Sequence, residues 1–175
     1  MLIHINSWPG AGKKTIGELL ASRLKARFLH NHHILDLVEA CCDRSDARWQ
    51  SLYDRVRDAA YEALACRPPG EPLVMTNAMA REEAPLWAQI CEIARRHGDV
   101  LVPVVLTLHA EENRKRLMDP NRGGSKLKSA PILDSLRSQC ELLVPDDIAA
   151  TLVLDVSELS PEEAAARIEA HLQRI

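Results

Sequence analysis

The chain of 175 residues is long enough to bury one full hydrophobic core and too short for two, which predicts a single domain over 1–175. Its 46% hydrophobic and 27% charged residues are those of a globular protein and exclude disordered and fibrous architectures. A net charge of −3 and 3% aromatic residues offer neither attraction to a polyanion nor rings for stacking bases, so no nucleic-acid partner is expected.

The first apolar run, Leu2 to Asn6, reads as a strand. It is too short for a secretory core, and no later run approaches a membrane span, which predicts a cytoplasmic protein with no membrane partner. Ser7-Trp8-Pro9-Gly10-Ala11-Gly12-Lys13-Lys14-Thr15 follows, and a helix-like pattern runs from Ile16 to Arg27. Strand, glycine turn, lysine and helix come in the order of a phosphate-binding loop. Glycines let successive N–H groups converge on phosphate oxygens, a helix N-terminus stands behind them, and a lysine reaches the β and γ phosphates. Pro9, Gly10, Ala11, Gly12, Lys13, Lys14 and Thr15 are therefore the candidate nucleotide-binding residues. The loop departs from Gly-x4-Gly-Lys-Ser/Thr at two places: Ser7 stands for the first glycine, and Lys14 for the hydroxyl that ligates Mg²⁺. Thr15 comes one residue late, about 100° around the helix, and would touch the α-phosphate side instead.

A second strand is expected over Arg27 to His30, and Ile34 to Cys41 opens a helix with Asp36 in its first turn. His30, His32 and His33 have no matching ligand pair elsewhere, so no metal site is assigned to them. Trp49, Leu52, Val56, Ala60 and Ala63 carry a helical stripe within Ser45 to Arg67, stopped by Pro68-Pro69-Gly70. Leu73 to Thr76 is the third strand. Leu86, Ile90 and Ile93 mark a helix before Gly98, and Leu101 to Leu108 is the fourth strand with Pro103 near its start. Residues 109–129 differ in kind: Arg114, Lys115, Arg116, Arg122, Lys126 and Lys128 against Asp119 give 114–128 a charge of +5, around the turn Asn121 to Ser125. A basic, glycine-hinged flap of this sort, over about 114–130, suits a lid over polyphosphate; a solvated surface loop is the plainer alternative. Thr151 to Asp155 is the fifth strand. Asp155 reads as a turn or cap residue, and Ser160, Pro161 and Glu163 begin the last helix as N-cap, first position and capping-box partner. Five cysteines without a C-x-x-C pair read as reduced thiols in helices.

Short apolar runs alternating with amphipathic ones predict an α/β fold with a parallel sheet. On Gly10-Ala11-Gly12-Lys13-Lys14-Thr15, Asn31-His32-His33, the run Leu106 to Arg114, and Asn121-Arg122 to Lys126-Leu127, the chain resembles P-loop NTPases. The branch it resembles is that of shikimate-kinase-like and nucleoside-monophosphate-kinase-like small-molecule kinases, with tunicamycin-resistance protein and chloramphenicol phosphotransferase among their relatives. The resemblance implies a three-layer fold with helices on both faces of a five-stranded parallel sheet of order 2-3-1-4-5, a small basic lid, and ATP on residues 7–15. It also implies a second substrate over the ends of strands two and three, with Arg116 and Arg122 as lid arginines. Shikimate kinases carry acidic residues after strand two and a glycine turn after strand three; Asn31-His32-His33 and Thr76-Asn77-Ala78 stand here, which argues against shikimate as substrate.

In a kinase, Lys13 would bind the β and γ phosphates, Arg116, Arg122 and Lys126 would neutralise charge on the transferring phosphoryl group, and Asp36 or His33 would orient or deprotonate an acceptor hydroxyl. Asp36 could equally be a helix first-turn acid. Asn31, His33, Asp36 and Asn77 are the candidate substrate-binding residues. Expected cofactors are ATP and Mg²⁺, the latter questioned by Lys14; the expected partner is a small molecule, and the state a monomer or homodimer. The alternative is a nucleotide-binding module with little or no transfer.

Overall fold

The computed structural model describes residues 1–120 and 127–175. In chain order the elements are β1 (Leu2–Ser7), α1 (Lys13–Leu24), β2 (Arg27–His30), α2 (Asn31–Cys41), α3 (Trp49–Ala65) and β3 (Leu73–Asn77). They continue with a 3-10 turn at Arg81–Glu83, α4 (Ala84–His97), β4 (Leu101–Thr107), α5 (Ala110–Leu117), α6 (Ala130–Gln139), β5 (Leu152–Asp155) and α7 (Pro161–Leu172). The sheet is parallel throughout in the order β2-β3-β1-β4-β5. β1, flanked on both sides, is buried along its whole length, so Leu2, Ile3 and Ile5 pack in the core and the polar His4, Asn6 and Ser7 are buried with them.

Alternation along the strands sorts side chains into two cores. Ile3, Ile5, Val74, Val104 and Leu106 meet Ile16 and Leu20 of α1 and Ile168 of α7 on one face. On the other, Leu2, Leu73 and Met75 meet Ile34 and Val38 of α2, Tyr61 of α3 and Ile90 and Ile93 of α4. Pro103 sits in the middle of the sheet without loss. Val100 accepts the Leu2 N–H, so alternation turns the Pro103 nitrogen toward β5, whose pairing begins one residue later at Val104.

Several element bounds differ from the sequence expectation, each for a local reason. α1 begins at Lys13, because Gly12 is its N-cap, and ends at Leu24, because Lys25 adopts a left-handed conformation (φ 52°). α2 begins at Asn31, since the His30 side chain caps it. α3 starts at Trp49, not Ser45, where the Asp46 carboxylate takes the Arg48 N–H at 2.8 Å and orders the turn before the helix. Its end at Ala65 frees Arg67 to turn inward, where it pairs with buried Asp99 and donates to the carbonyls of Leu64 and Glu71. The start of the expected flap is helix α5, and its charges are engaged: Arg114 with Asp134 at 2.7 Å, Lys115 with Glu112 at 3.6 Å, Arg116 with Glu112 at 2.7 Å. Arg122, Lys126 and the glycine turn of the flap lie outside the described residues. The C-terminal capping box is as read: Ser160 accepts the Glu163 N–H at 3.2 Å and Glu163 accepts the Ser160 N–H at 2.8 Å. The five cysteines form no disulfide, and no helix among the described residues is long and apolar enough to cross a membrane.

Gly17, buried on the inner face of α1, lets the helix lie directly on the sheet. A Cβ there would come 2.7 Å from Cε2 of Phe28 and 3.0 Å from Cγ2 of Thr76. Gly17→Ala should therefore destabilise the fold by about 1–3 kcal/mol through overpacking, against the ~1 kcal/mol by which helix propensity alone favours Ala. Urea unfolding measures the difference, and a midpoint equal to or above wild type would contradict this packing.

Candidate functional site

The carboxyl end of β1 and the head of α1 are joined by only five residues, Trp8 to Gly12. That reversal requires left-handed backbone at Gly10 (φ 93°) and Gly12 (φ 87°), conformations an L side chain adopts only with strain. Gly12 is the N-cap, so no side chain caps the first-turn amides of α1, and no acid occupies that turn. Those amides and the positive end of the helix dipole face outward together, which suits an anion. Lys13 bends back over the loop, its Nζ donating to the carbonyls of Ser7 at 3.1 Å and Trp8 at 3.2 Å.

The loop rests on a residue 104 positions away. Asn113 of α5, fully buried, donates from Nδ2 to the Pro9 carbonyl at 2.8 Å, while its Oδ1 accepts from Arg137 of α6 at 3.0 Å. Beneath the adjoining edge Asn6 plays a similar part. Its Nδ2 donates to the carbonyls of Met79 (3.0 Å) and Leu143 (2.9 Å), and its Oδ1 takes the Met79 N–H (2.7 Å). The segment after β3 and the segment before β5 are thereby fixed to the end of β1.

A cavity of about 580 Å³ opens over the loop. All seven residues Pro9 to Thr15 line it, together with Asn31 and Arg116. The cavity extends to His30 and His32 on one side and to Leu159 and Pro161, at the head of α7, on the other. Arg116 is oriented by Glu112 and by the carbonyls of Val156 and Ser157, at 2.8 and 2.9 Å. Asn31 accepts a hydrogen bond from Tyr53 at 3.1 Å. Three expected substrate-side residues do not line the cavity. Asn77 is buried, its Oδ1 3.1 Å from His4 Nε2. His33 faces solvent, edge-on to Phe28, with Nδ1 accepting the His30 N–H at 3.3 Å. Asp36 is exposed on the next turn of α2, 3.8 Å from His32 Nδ1. Asp155 binds the Ser157 N–H at 2.8 Å, which holds its carboxyl below the usual range and makes it a turn residue, as read.

The donors here do not fit a Mg²⁺ ion ligated by the chain. Lys14 stands where a hydroxyl would ligate, with its Nζ 3.7 Å from Glu18. Asp119 is the carboxylate among the lining residues, and among the described residues no three His, Cys, Asp or Glu side chains gather as metal ligands would.

His30, which the sequence presents only as one of three histidines without a matching ligand pair, is the N-cap of α2, a position that histidine seldom fills. Its Nδ1 accepts the His32 N–H at 2.9 Å. Burial, and then the positive charge of His32, Lys13, Lys14 and His33, push its pKa down from 6.5 to about 3. Folded His30 is thus neutral where the unfolded chain takes a proton, so its contribution is complete above pH 6.5 and is lost as the pH falls toward 3. His4, buried beside Trp87 and pushed down to about 4, acts in the same direction. His30→Asn keeps a capping oxygen and removes the titration. Between pH 6.5 and 5, above the carboxylate range, the stability lost on acidification should shrink by roughly 1.4 kcal/mol per pH unit at most. Urea unfolding across that window reads it, and an unchanged slope would contradict a neutral, capping His30.

No protein-family model matches the chain, and no curated protein sequence does. Solved structures do match. A protein from Chloroflexus aurantiacus j-10-fl aligns over 99% of this chain and 96% of its own at 15% identity, with a TM-score of 0.73. A gluconokinase from Sinorhizobium meliloti 1021 aligns over 98% and 91% at 18% identity, TM-score 0.65. A shikimate kinase from Bacteroides thetaiotaomicron aligns over 99% and 98% at 19% identity, TM-score 0.62. With the strand order β2-β3-β1-β4-β5 and the glycine loop at the end of the central strand, the chain has the fold of the P-loop small-molecule kinases.

Proposed function

We propose that this protein binds ATP on the β1–α1 loop and transfers its γ-phosphoryl group to a hydroxyl of a small molecule. The observation that carries the reading is the joining of two features in one cavity. The uncapped first-turn amides and Lys13 line it together with polar side chains from the β2–α2 junction. Phosphoryl transfer asks a protein chiefly to position the partners and to stabilise charge. Lys13 and the backbone of Gly10 to Thr15 would hold the β and γ phosphates, and Arg116, fixed against the β5–α7 connection, would offset charge from the lid side; Arg122 is assigned the same role on sequence grounds. Leu159 and Pro161 offer an apolar wall suited to a base. Asn31, steadied by Tyr53, is the acceptor-side residue that lines the cavity. Gluconokinase and shikimate kinase, which share the fold, each act on a small hydroxylated acid by name, and a polyhydroxylated metabolite or antibiotic is the class proposed here.

A second reading is favoured by Lys14. Its ammonium, at the position of the metal-binding hydroxyl, would suit a module that holds nucleotide and transfers little. Calorimetric titration with ATP, with and without Mg²⁺, separates the readings. A kinase should bind more tightly with the metal; equal affinity in EDTA would favour the module. Lys13→Ala removes a charge-assisted contact of about 1.5–3 kcal/mol, so affinity should fall by roughly ten- to a hundredfold. Binding unaffected by that substitution would overturn the phosphate-loop assignment itself.

A further inference from the structure

We propose that His32 takes the proton from the acceptor hydroxyl and that Asp36 is its positioning residue. This deepens the kinase reading above and depends on it. His32 is the second residue of α2, and its backbone is fixed where the strand ends, because its N–H is held by His30 Nδ1 at 2.9 Å. Its ring packs against that of His30, with centroids 5.1 Å apart, and lines the cavity that also holds Lys13. Of the histidines at this junction, His30 spends its Nδ1 on the cap and His33 lies outside the cavity. His32 differs in having a carboxylate on one side of its ring. Asp36, one helical turn on, stands 3.8 Å from Nδ1.

A carboxylate facing Nδ1 favours the tautomer with the proton on that nitrogen, which leaves the lone pair on Nε2. The arrangement is that of a base with an orienting acid, built from an i,i+4 pair on a single helix. In the step, the acceptor oxygen forms a bond to the γ-phosphorus as the bond from phosphorus to the β,γ-bridging oxygen breaks. ADP leaves with that electron pair, and the hydroxyl proton passes to Nε2 of His32. Asp36 stabilises the resulting imidazolium, which returns its proton to solvent. The charged and titratable groups around this junction are Lys13 and Lys14 of α1, His30 at the end of β2, and His33 and Asp36 of α2, the last two outside the cavity lining. Arg116 of α5 and Asp119 lie across the cavity. The cations oppose a charged imidazole and Asp36 favours one, so the acid limb of the rate profile should report the balance.

The test measures ADP release from ATP over pH 5–9, with water and with a panel of polyols and aminoglycosides as acceptors, alongside ATP affinity. Wild type is expected to turn over with an acid limb. His32→Asn and His32→Gln should each lower kcat by about a hundredfold or more with ATP affinity unchanged. Asp36→Asn should lower kcat and shift the limb, and Asp36→Glu should restore both. Turnover by the His32 variants at the wild-type rate, or an Asp36→Asn profile superimposable on wild type, would overturn this assignment and leave the kinase reading standing. Wild type that binds ATP and releases no ADP with any acceptor would overturn both.

Discussion

The backbone has five residues in which to leave the central strand and enter a helix, and the carboxyl edge of this sheet is organised by that constraint. Left-handed backbone at Gly10 and Gly12 makes the reversal possible. The same geometry leaves the head of α1 without a side-chain cap, so the local requirement for a turn and the requirement for an anion site are met by the same two residues. Gly17, one turn further on, then allows α1 to lie close on the sheet. Lys13, reaching back to the carbonyls of Ser7 and Trp8, bridges the loop with the group that would otherwise meet phosphate.

A loop of this kind binds well only if it is held still, and what holds it comes from distant parts of the chain. Asn113 bonds the Pro9 carbonyl and is itself oriented by Arg137; Asn6 gathers the segments around Met79 and Leu143. Each is a buried amide with its hydrogen-bonding groups satisfied, the condition under which burial of a polar side chain adds specificity rather than cost. The polar wall at the β2–α2 junction is built differently. There a histidine cap, kept neutral by burial and by neighbouring positive charge, lets α2 start immediately at the end of the strand and brings Asn31 and His32 to the cavity.

Much of this was legible in the sequence because its signals are local. The glycines and lysine of residues 10–13 declare the turn by themselves, and Ser160-Pro161-x-Glu163 states a helix start that the hydrogen bonds reproduce. The strands show as short apolar-rich runs, most clearly β3 and β4, which are buried almost throughout, and less clearly the partly exposed edge strands β2 and β5. What could not be read depends on partners far apart in sequence. Nothing near Asn113 announces a bond to Pro9, and nothing near Asn77 announces that His4 takes it into the core. Choosing among Asn31, His32, His33 and Asp36 required knowing that the helix starts at Asn31, for its phase decides which side chains meet the cavity. α5 was obscured by its charge: read along the chain, Arg114, Lys115 and Arg116 form a basic run, whereas in space Glu112 and Asp134 answer them.

The groups lining the cavity differ in kind: cations on the glycine loop and on α5, and an amide and a neutral histidine at the β2–α2 junction. In the proposed reading the cations take the polyphosphate and the junction takes the acceptor, provided the loop is where the phosphates sit. The most direct test is to follow the backbone amide resonances of Gly10, Gly12 and Lys13 by NMR while adding ATP. These amides should shift strongly and saturate together, with Gly70 and Gly98, in turns remote from the cavity, left unmoved. Saturating ATP that leaves the loop amides in place, or shifts a different set, would contradict the assignment of this loop as the phosphate cradle.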